Sequence, residues 1–256
     1  MKPIERKVIL QRNRLIKNGR KIFANAIRQQ YQQAINTLEN SSFDDMVENL
    51  RGAITDEPIQ KVYAPYYSSA ADIALTWRKY HMRGRKSLED DLYTSKFMRS
   101  LHDYGIRLGK SRIKDITTTT EENIIRIVQE QVTYALTEGT EIDSARRNIM
   151  YFVNQQYEEI TMARAQLIAQ TEMIAASNQA AMEGTASTGL EFRKFWSTSG
   201  IGNSRESHME AEADSIAVGG YMENEAFSNG LQFPGDPAGG PEEVCNCHCT
   251  LLTEII

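Results

Sequence analysis

Ala165-Gln166-Leu167-Ile168-Ala169-Gln170-Thr171-Glu172 sits in the middle of a run that decides the fold. Across 156–183, Ile160, Ala163, Leu167, Ile168, Ile174 and Ala175 recur at the spacing of one helical face. The run predicts one long helix ended by Gly184. After Gly184 the texture changes: nine of the sixteen Gly and three of the six Pro follow it. Phe192-Arg193-Lys194-Phe195-Trp196 reads as a strand, and Arg205 to Ala213 as a short helix. Short strands are expected in 214–233, around Gly219-Gly220 and Asn229-Gly230. Pro234-Gly235-Asp236-Pro237 reads as a type II turn, with Pro before Gly at its centre, and Val244 to Thr253 as a final strand. Helix then gives way to a small α+β region, with a boundary near 155–185 that the long helix straddles.

The preceding residues read as helices. Ile4, Val8, Leu15, Ile22, Ala26 and Leu38 space an amphipathic helix over 4–38, weakened by Gly19, which suggests an extended arm that orders on a partner. A short helix is predicted over 43–51, ended by Gly52. Another runs from Thr55 to about His81, kinked or divided at Pro65. Two capping boxes, Ser87-Leu88-Glu89-Asp90 and Thr118-Thr119-Thr120-Glu121, open separate helices, the first reaching about Arg112 and the second closed by Gly139. A further short helix is predicted at 142–152. The fold class is therefore α+β: a mostly helical amino-terminal region and a small mixed carboxy-terminal domain with a short antiparallel sheet. The segments expected are 1–40 as a basic helical arm, 41–155 as a helical region and 156–256 as the closing domain.

The chain has 256 residues, of which 41% are hydrophobic and 25% charged, values of a globular protein and not of a disordered or collagen-like one. No apolar run reaches the roughly 18 residues that a spanning helix needs. The charged start, Met1 to Lys7, is unlike a signal peptide, so no membrane partner and residence in a cytoplasm are expected. Charge is uneven beneath the net −5. Residues 1–30 carry nine Lys/Arg (Lys2, Arg6, Lys7, Arg12, Arg14, Lys17, Arg20, Lys21, Arg28) against Glu5, nine minus one or +8. Residues 200–256 carry ten acids against Arg205, one minus ten or −9. Arg6, Lys7, Arg12, Arg14, Lys17, Arg20 and Lys21 are candidates to meet nucleic-acid phosphate or an acidic protein surface. A solvated helix face balanced by the acidic end explains the same pattern.

All three cysteines fall in Cys245-Asn246-Cys247-His248-Cys249. An odd, clustered set in a cytoplasm disfavours a disulfide framework. In a strand the three thiols share a face and span about 13 Å, too far for one zinc unless the segment curls. With thiolates and His208 or His248 as the candidate ligands, Cys247, Cys249 and a distant residue such as His208 form the subset that best suits a structural zinc. Small residues packed under the last strand are the plainer reading of that spacing. No GxSxG, P-loop, HExxH or GxGxxG motif occurs. Arg205-Glu206-Ser207-His208 holds the groups for phosphodiester chemistry, but four residues on one segment do not make a site. No catalytic residue is expected.

Residues 165–172, with Ala176 and Asn178 after them, resemble the I-A-R-T-E and A-x-N helix of the phage Mu F-like minor head (head morphogenesis) family. Arg205-x-x-His208 resembles that family's R-x-x-H. Phe233-Pro234-Gly235-Asp236-Pro237 and Pro241 to Cys249 resemble its Y-P-G-D-P…P-x-E-x-x-N-C-R-C ending. The likeness covers about 117–256. Gln170 and His248 stand where the family has Arg. The resemblance implies that Thr171, Glu172, Asn178, Arg205, His208, Pro234, Gly235, Asp236, Asn246, Cys247 and Cys249 are structural motif residues. It implies a non-enzymatic minor capsid protein of a tailed-phage virion, at the portal vertex or head interior, made in the host cytoplasm. Its implied partners are the portal protein, major capsid or scaffolding protein and packaged double-stranded DNA. Its implied roles are head assembly and DNA packaging, retention or ejection. Some relatives carry appended toxin or nuclease domains; seven residues follow Cys249, so none is expected here. Two rival functions remain: a nuclease or ADP-ribosyltransferase-like site, which requires Arg205, His208 and Glu172 to converge in one cleft, and a zinc-stabilised interaction module.

Overall fold

The computed structural model describes residues 2–82, 90–198 and 204–256. The first capping box, Ser87 to Asp90, lies outside them save for its last residue, and so does the side chain of Ile160. The described elements are α1 (Pro3–Glu39), α2 (Met46–Leu50), α3 (Glu57–Ser68), α4 (Ala71–His81), α5 (Asp90–Thr137), α6 (Ile142–Ala186), β1 (Phe192–Ser197), α7 (Glu206–Ala217), β2 (Tyr221–Met222), a short 3-10 turn (Pro237–Gly239), α8 (Gly240–Val244) and β3 (Thr250–Ile255). This is a mostly helical chain that closes in a small α+β portion.

The helices are longer than their sequence signals, because internal caps are overruled. Thr119 and Thr120 start no helix. Their hydroxyls donate to the Asp115 and Ile116 carbonyls one turn back, at 2.7 and 2.8 Å, and α5 runs straight through. Residues 142–152 and 156–183 fuse into α6, which passes Gly184 and ends at Ala186. Pro65 lies inside α3. The break comes after it, where the Ser68 and Ser69 hydroxyls donate to the Pro65 and Tyr66 carbonyls.

The chain forms two compact units: residues 1–19, 64–108 and 167–256 in one, 20–63 and 109–166 in the other. They interleave along the chain and do not follow the consecutive segments 1–40, 41–155 and 156–256. Helices α1, α3, α5 and α6 each supply residues to both units. In the unit of 20–63 and 109–166, Phe23, Ile27, Tyr31, Leu38, Met46, Leu50, Ile59, Ile124, Val128, Ile149 and Val153 are buried. There Gln30, also buried, donates to Thr117 Oγ1 and to the Thr55 carbonyl. The arm expected at 1–40 is thus part of the folded body, since α1 has a buried stripe from Val8 through Phe23 and Ile27 to Leu38.

The other unit holds the sheet, in order β2-β1-β3, all antiparallel. β1 pairs along its length with β3, from Phe192 opposite Ile255 to Ser197 opposite Thr250. Only Tyr221–Met222 of 214–233 joins the sheet; around Asn229-Gly230 the chain turns, with Gly230 N–H donating to the Phe227 carbonyl. On the core side of β1, Phe192 and Trp196 flank Lys194, whose Nζ donates to the carbonyls of Glu223 and Gln232 and to Gln232 Oε1. α6 crosses α4 at Gly184: a Cβ there would fall 2.1 Å from the Ala74 carbonyl oxygen. The expected strand from Val244 is also corrected. Pro241 and two acids in the first turn favour the helix α8, and pairing begins only at Thr250.

Candidate functional site

The segment between α8 and β3 is a curl, and it places the site. Asn246 adopts a left-handed conformation at φ 56°, one that Asn tolerates better than most side chains. Cys247 N–H bonds back to the Val244 carbonyl, and Cys249 N–H points at Cys247 Sγ, 3.4 Å away. The curl brings Cys247 and Cys249 together and leaves Cys245 half-buried outside their cluster.

α6 braces this curl with the residues of its central stretch. Thr171 Oγ1 accepts from Asn246 N–H. Asn178 is buried and fully used: Nδ2 donates to the Pro234 and Cys249 carbonyls at 2.7 and 3.3 Å, and Oδ1 accepts from Leu251 N–H at 2.9 Å. Gln170 Nε2 donates to Asn246 Oδ1 and to His248 Nε2, both at 2.8 Å. The two positions that depart from the family pattern therefore touch each other. Burial first, and then the Arg12 charge, pushes the His248 pKa down, so its ring suits the acceptor role. Glu172 accepts from the Tyr67 hydroxyl at 2.6 Å. Gly235, at φ 81°, packs against the backbone of Ala175, and Asp236 accepts from Gln232 and Ala238 N–H to hold the turn.

Arg12 changes sides. Among the seven candidate contact residues of the basic stretch it alone is buried, at 3% exposure. Its Nη1 donates to the Cys249 carbonyl and Thr250 Oγ1, and its Nη2 to the His248 carbonyl, at 3.0–3.1 Å. Burial lowers its pKa to about 10, opposed by the charge of Cys247, Cys249 and Glu5. Arg12 is a brace of the curl and not a surface contact. The signal was in the sequence: Arg12 lies four residues after Val8 on the apolar stripe. Arg6, Lys7, Arg14, Lys17, Arg20 and Lys21 are exposed.

His208 reaches the curl from the first turn of α7. Its Nδ1 lies 3.5 Å from Cys249 Sγ and 3.9 Å from Cys247 Sγ, and all three residues are buried. Trp196 packs against the imidazole at 4.9 Å between ring centroids. On the other side Nε2 lies 2.8 Å from Glu243 Oε2, within ion-pair range but off the angle of a hydrogen bond. Glu243 was not among the sequence candidates; it is held by the Ser207 hydroxyl. Hydrogen bonding from Cys249, helped by His208, pulls the Cys247 thiol down to about 5. Cys249 moves upward, because it donates to Cys247 and is buried.

Arg205 Nη2 donates to the Cys245 carbonyl at 2.6 Å, closing the curl from the α7 side. Ser204, Arg205, His208, Asn246, Cys247, His248 and Cys249 line a cavity of about 240 Å³. Glu172 is not among the lining residues. Of the three groups that the enzyme reading needs together, the cavity holds two.

Residues 126–252 match the family described as Phage Mu protein F like protein, and this segment is similar to that phage head morphogenesis family. A curated relative, the uncharacterized protein YqbB of Bacillus subtilis (strain 168), is 29% identical over 131 residues. That alignment covers 50% of this chain and 41% of the relative, so the chain spans about two fifths of the length of the curated relative it matches. No solved structure matches. No helix among the described residues is long and apolar enough to cross a membrane.

Proposed function

We propose that this chain is a minor head protein of a tailed-phage particle that binds at the portal vertex, aids head assembly and touches the packaged DNA, without catalysing a reaction. One observation carries the reading. The polar motif residues are engaged internally: Thr171, Asn178, Arg205 and Asn246 make the bonds that link α6 and the start of α7 to the turn at 234–237 and the curl at 245–249, Asp236 holds that turn, and Glu172 accepts from Tyr67 of α3. A group already engaged in internal hydrogen bonds is poorly placed for turnover, and a braced, rigid module suits docking. That Glu172 does not line the cavity of Arg205 and His208 also supports a non-enzymatic role.

The DNA contact rests on the exposed cations Arg6, Lys7, Arg14, Lys17, Arg20 and Lys21 of α1. Such contacts hold phosphate without reading sequence, and each one made adds about −0.9 to the slope of log affinity against log salt. The test is to co-produce the full chain with the portal and major capsid proteins of the same phage and to isolate heads and portal rings. The chain is expected in portal-containing heads and on isolated rings. Its absence from both, or DNA affinity indifferent to salt, would overturn the corresponding part of the proposal.

A further inference from the structure

The geometry points to a zinc site at His208, Cys247 and Cys249, with His208 Nδ1 and two thiolates as ligands and the fourth position facing the cavity lined by Ser204, Arg205 and residues 246–249. The donor atoms lie within 4.8 Å of one another. A tetrahedral zinc, with Zn–S near 2.3 Å and Zn–N near 2.0–2.1 Å, has S···N edges of about 3.6 Å. The two S···N distances here, 3.5 and 3.9 Å, lie within a few tenths of an ångström of that edge. The donor set, two thiolates and one imidazole, is what zinc prefers over magnesium or calcium.

The surroundings are those of a metal-bound histidine. Glu243 lies at the ring nitrogen away from the sulfurs, where a carboxylate fixes the tautomer and ring orientation of a ligating imidazole. The Ser207 hydroxyl holds that carboxylate in turn. The Cys249 N–H directed at Cys247 Sγ supports a thiolate there. Arg12 does not compete for the sulfurs, because its guanidinium is engaged by two carbonyls and the Thr250 hydroxyl. Two thiolates, a neutral imidazole and Zn²⁺ sum to zero charge, which lowers the cost of burying the group. The ion would tie α7 to the curl through ligands 39 and 41 positions apart in the chain. The cavity leaves room for water or a partner's side chain as the fourth ligand. This inference does not rest on the head-assembly reading, and either can fail alone.

The test uses the full chain, purified under reducing conditions without added chelator. Zinc is measured by mass spectrometry, and the metal-free protein is titrated with Co²⁺. One zinc per chain is expected, with a thiolate-to-cobalt charge-transfer band. Both should vanish in Cys247→Ser, Cys249→Ser and His208→Asn, and both should persist in Cys245→Ser, whose thiol lies outside the cluster. Removing zinc from the wild type should lower its melting temperature. No zinc and no cobalt band in the wild type would overturn the site. Loss of both in Cys245→Ser would overturn the ligand set. Should the other variants precipitate, the wild type and Cys245→Ser decide: bands in both support the site, and absence from either overturns it.

Discussion

Replacing Arg12 by Ala separates two readings of the same cation. Were Arg12 a surface contact, its loss would weaken DNA binding and leave stability unchanged. The structure assigns the opposite. The guanidinium serves three acceptors on residues 248–250. After truncation the Cys249 carbonyl keeps the Asn178 amide, so the main losses fall on the His248 carbonyl and the Thr250 hydroxyl. A hydrogen bond from a charged donor is worth about 1.5–3 kcal/mol, and the lost packing of the side-chain stem adds to it. A total of about 2–4 kcal/mol allows for water entering the vacated space, and for a chain of this size it lowers Tm by roughly 5–15 °C. Both tryptophans, Trp77 and Trp196, lie in the unit that contains Arg12, so urea unfolding followed by tryptophan fluorescence reports on that unit. Arg12→Lys should fall between wild type and Arg12→Ala, since an ammonium cannot match the planar fork. Arg14→Ala, at an exposed position two residues on, should change stability by less than about 0.5 kcal/mol and lower DNA affinity. An Arg12→Ala protein as stable as Arg14→Ala, or one losing under about 1 kcal/mol, would refute the reasoning.

Two further outcomes are expected. Gly184→Ala adds a good helix former inside α6, a gain of about 1 kcal/mol in an open helix, yet its Cβ would meet the Ala74 backbone. Forcing α4 and α6 apart costs more than that gain, so Tm should fall, and a rise in Tm would contradict the observed crossing. Glu183 has its pKa raised by burial, partly offset by Gln179, Ser100 and the charge of Arg107. A carboxyl raised in the folded state binds its proton more tightly than in the unfolded chain, so its contribution is fully present below the ordinary carboxylate range and is lost as pH rises. Glu183→Gln should therefore melt higher than wild type at neutral pH, with the gap closing in acid; a constant gap in a pH series of thermal melts would reject that assignment.

The long helix, the change of texture after Gly184, the strand at 192–196 and the turn at 234–237 were legible because each is a local signal: periodicity, Gly and Pro content, and turn chemistry. The threonine run at 117–120 misled because a capping box and an ordinary helix interior offer the same hydroxyls. Which acceptor they take is settled by whether the preceding turn is already helical. The strand expected from Val244 failed for a related reason. Alternation of Cys247 and Cys249 reads as a strand, but a left-handed Asn246 curls it. That curl also sets the spacing of the thiols, which a strand would hold far apart and which lie within 4.8 Å of each other and of His208 Nδ1 here.

By itself the sequence determined the helical character, the α+β ending and the family motifs, and it marked Cys247, Cys249 and a distant histidine such as His208 as candidate zinc ligands. Tertiary structure alone decided which acceptors Arg12 serves, that Glu243 stands behind His208, that Gln170 meets His248, and that the compact units interleave along four helices. The reason is range. Periodicity and capping act within a few residues. The partner of a buried guanidinium or imidazole is chosen by desolvation, which must be satisfied by whatever polar group packing brings near, here residues up to 238 positions away.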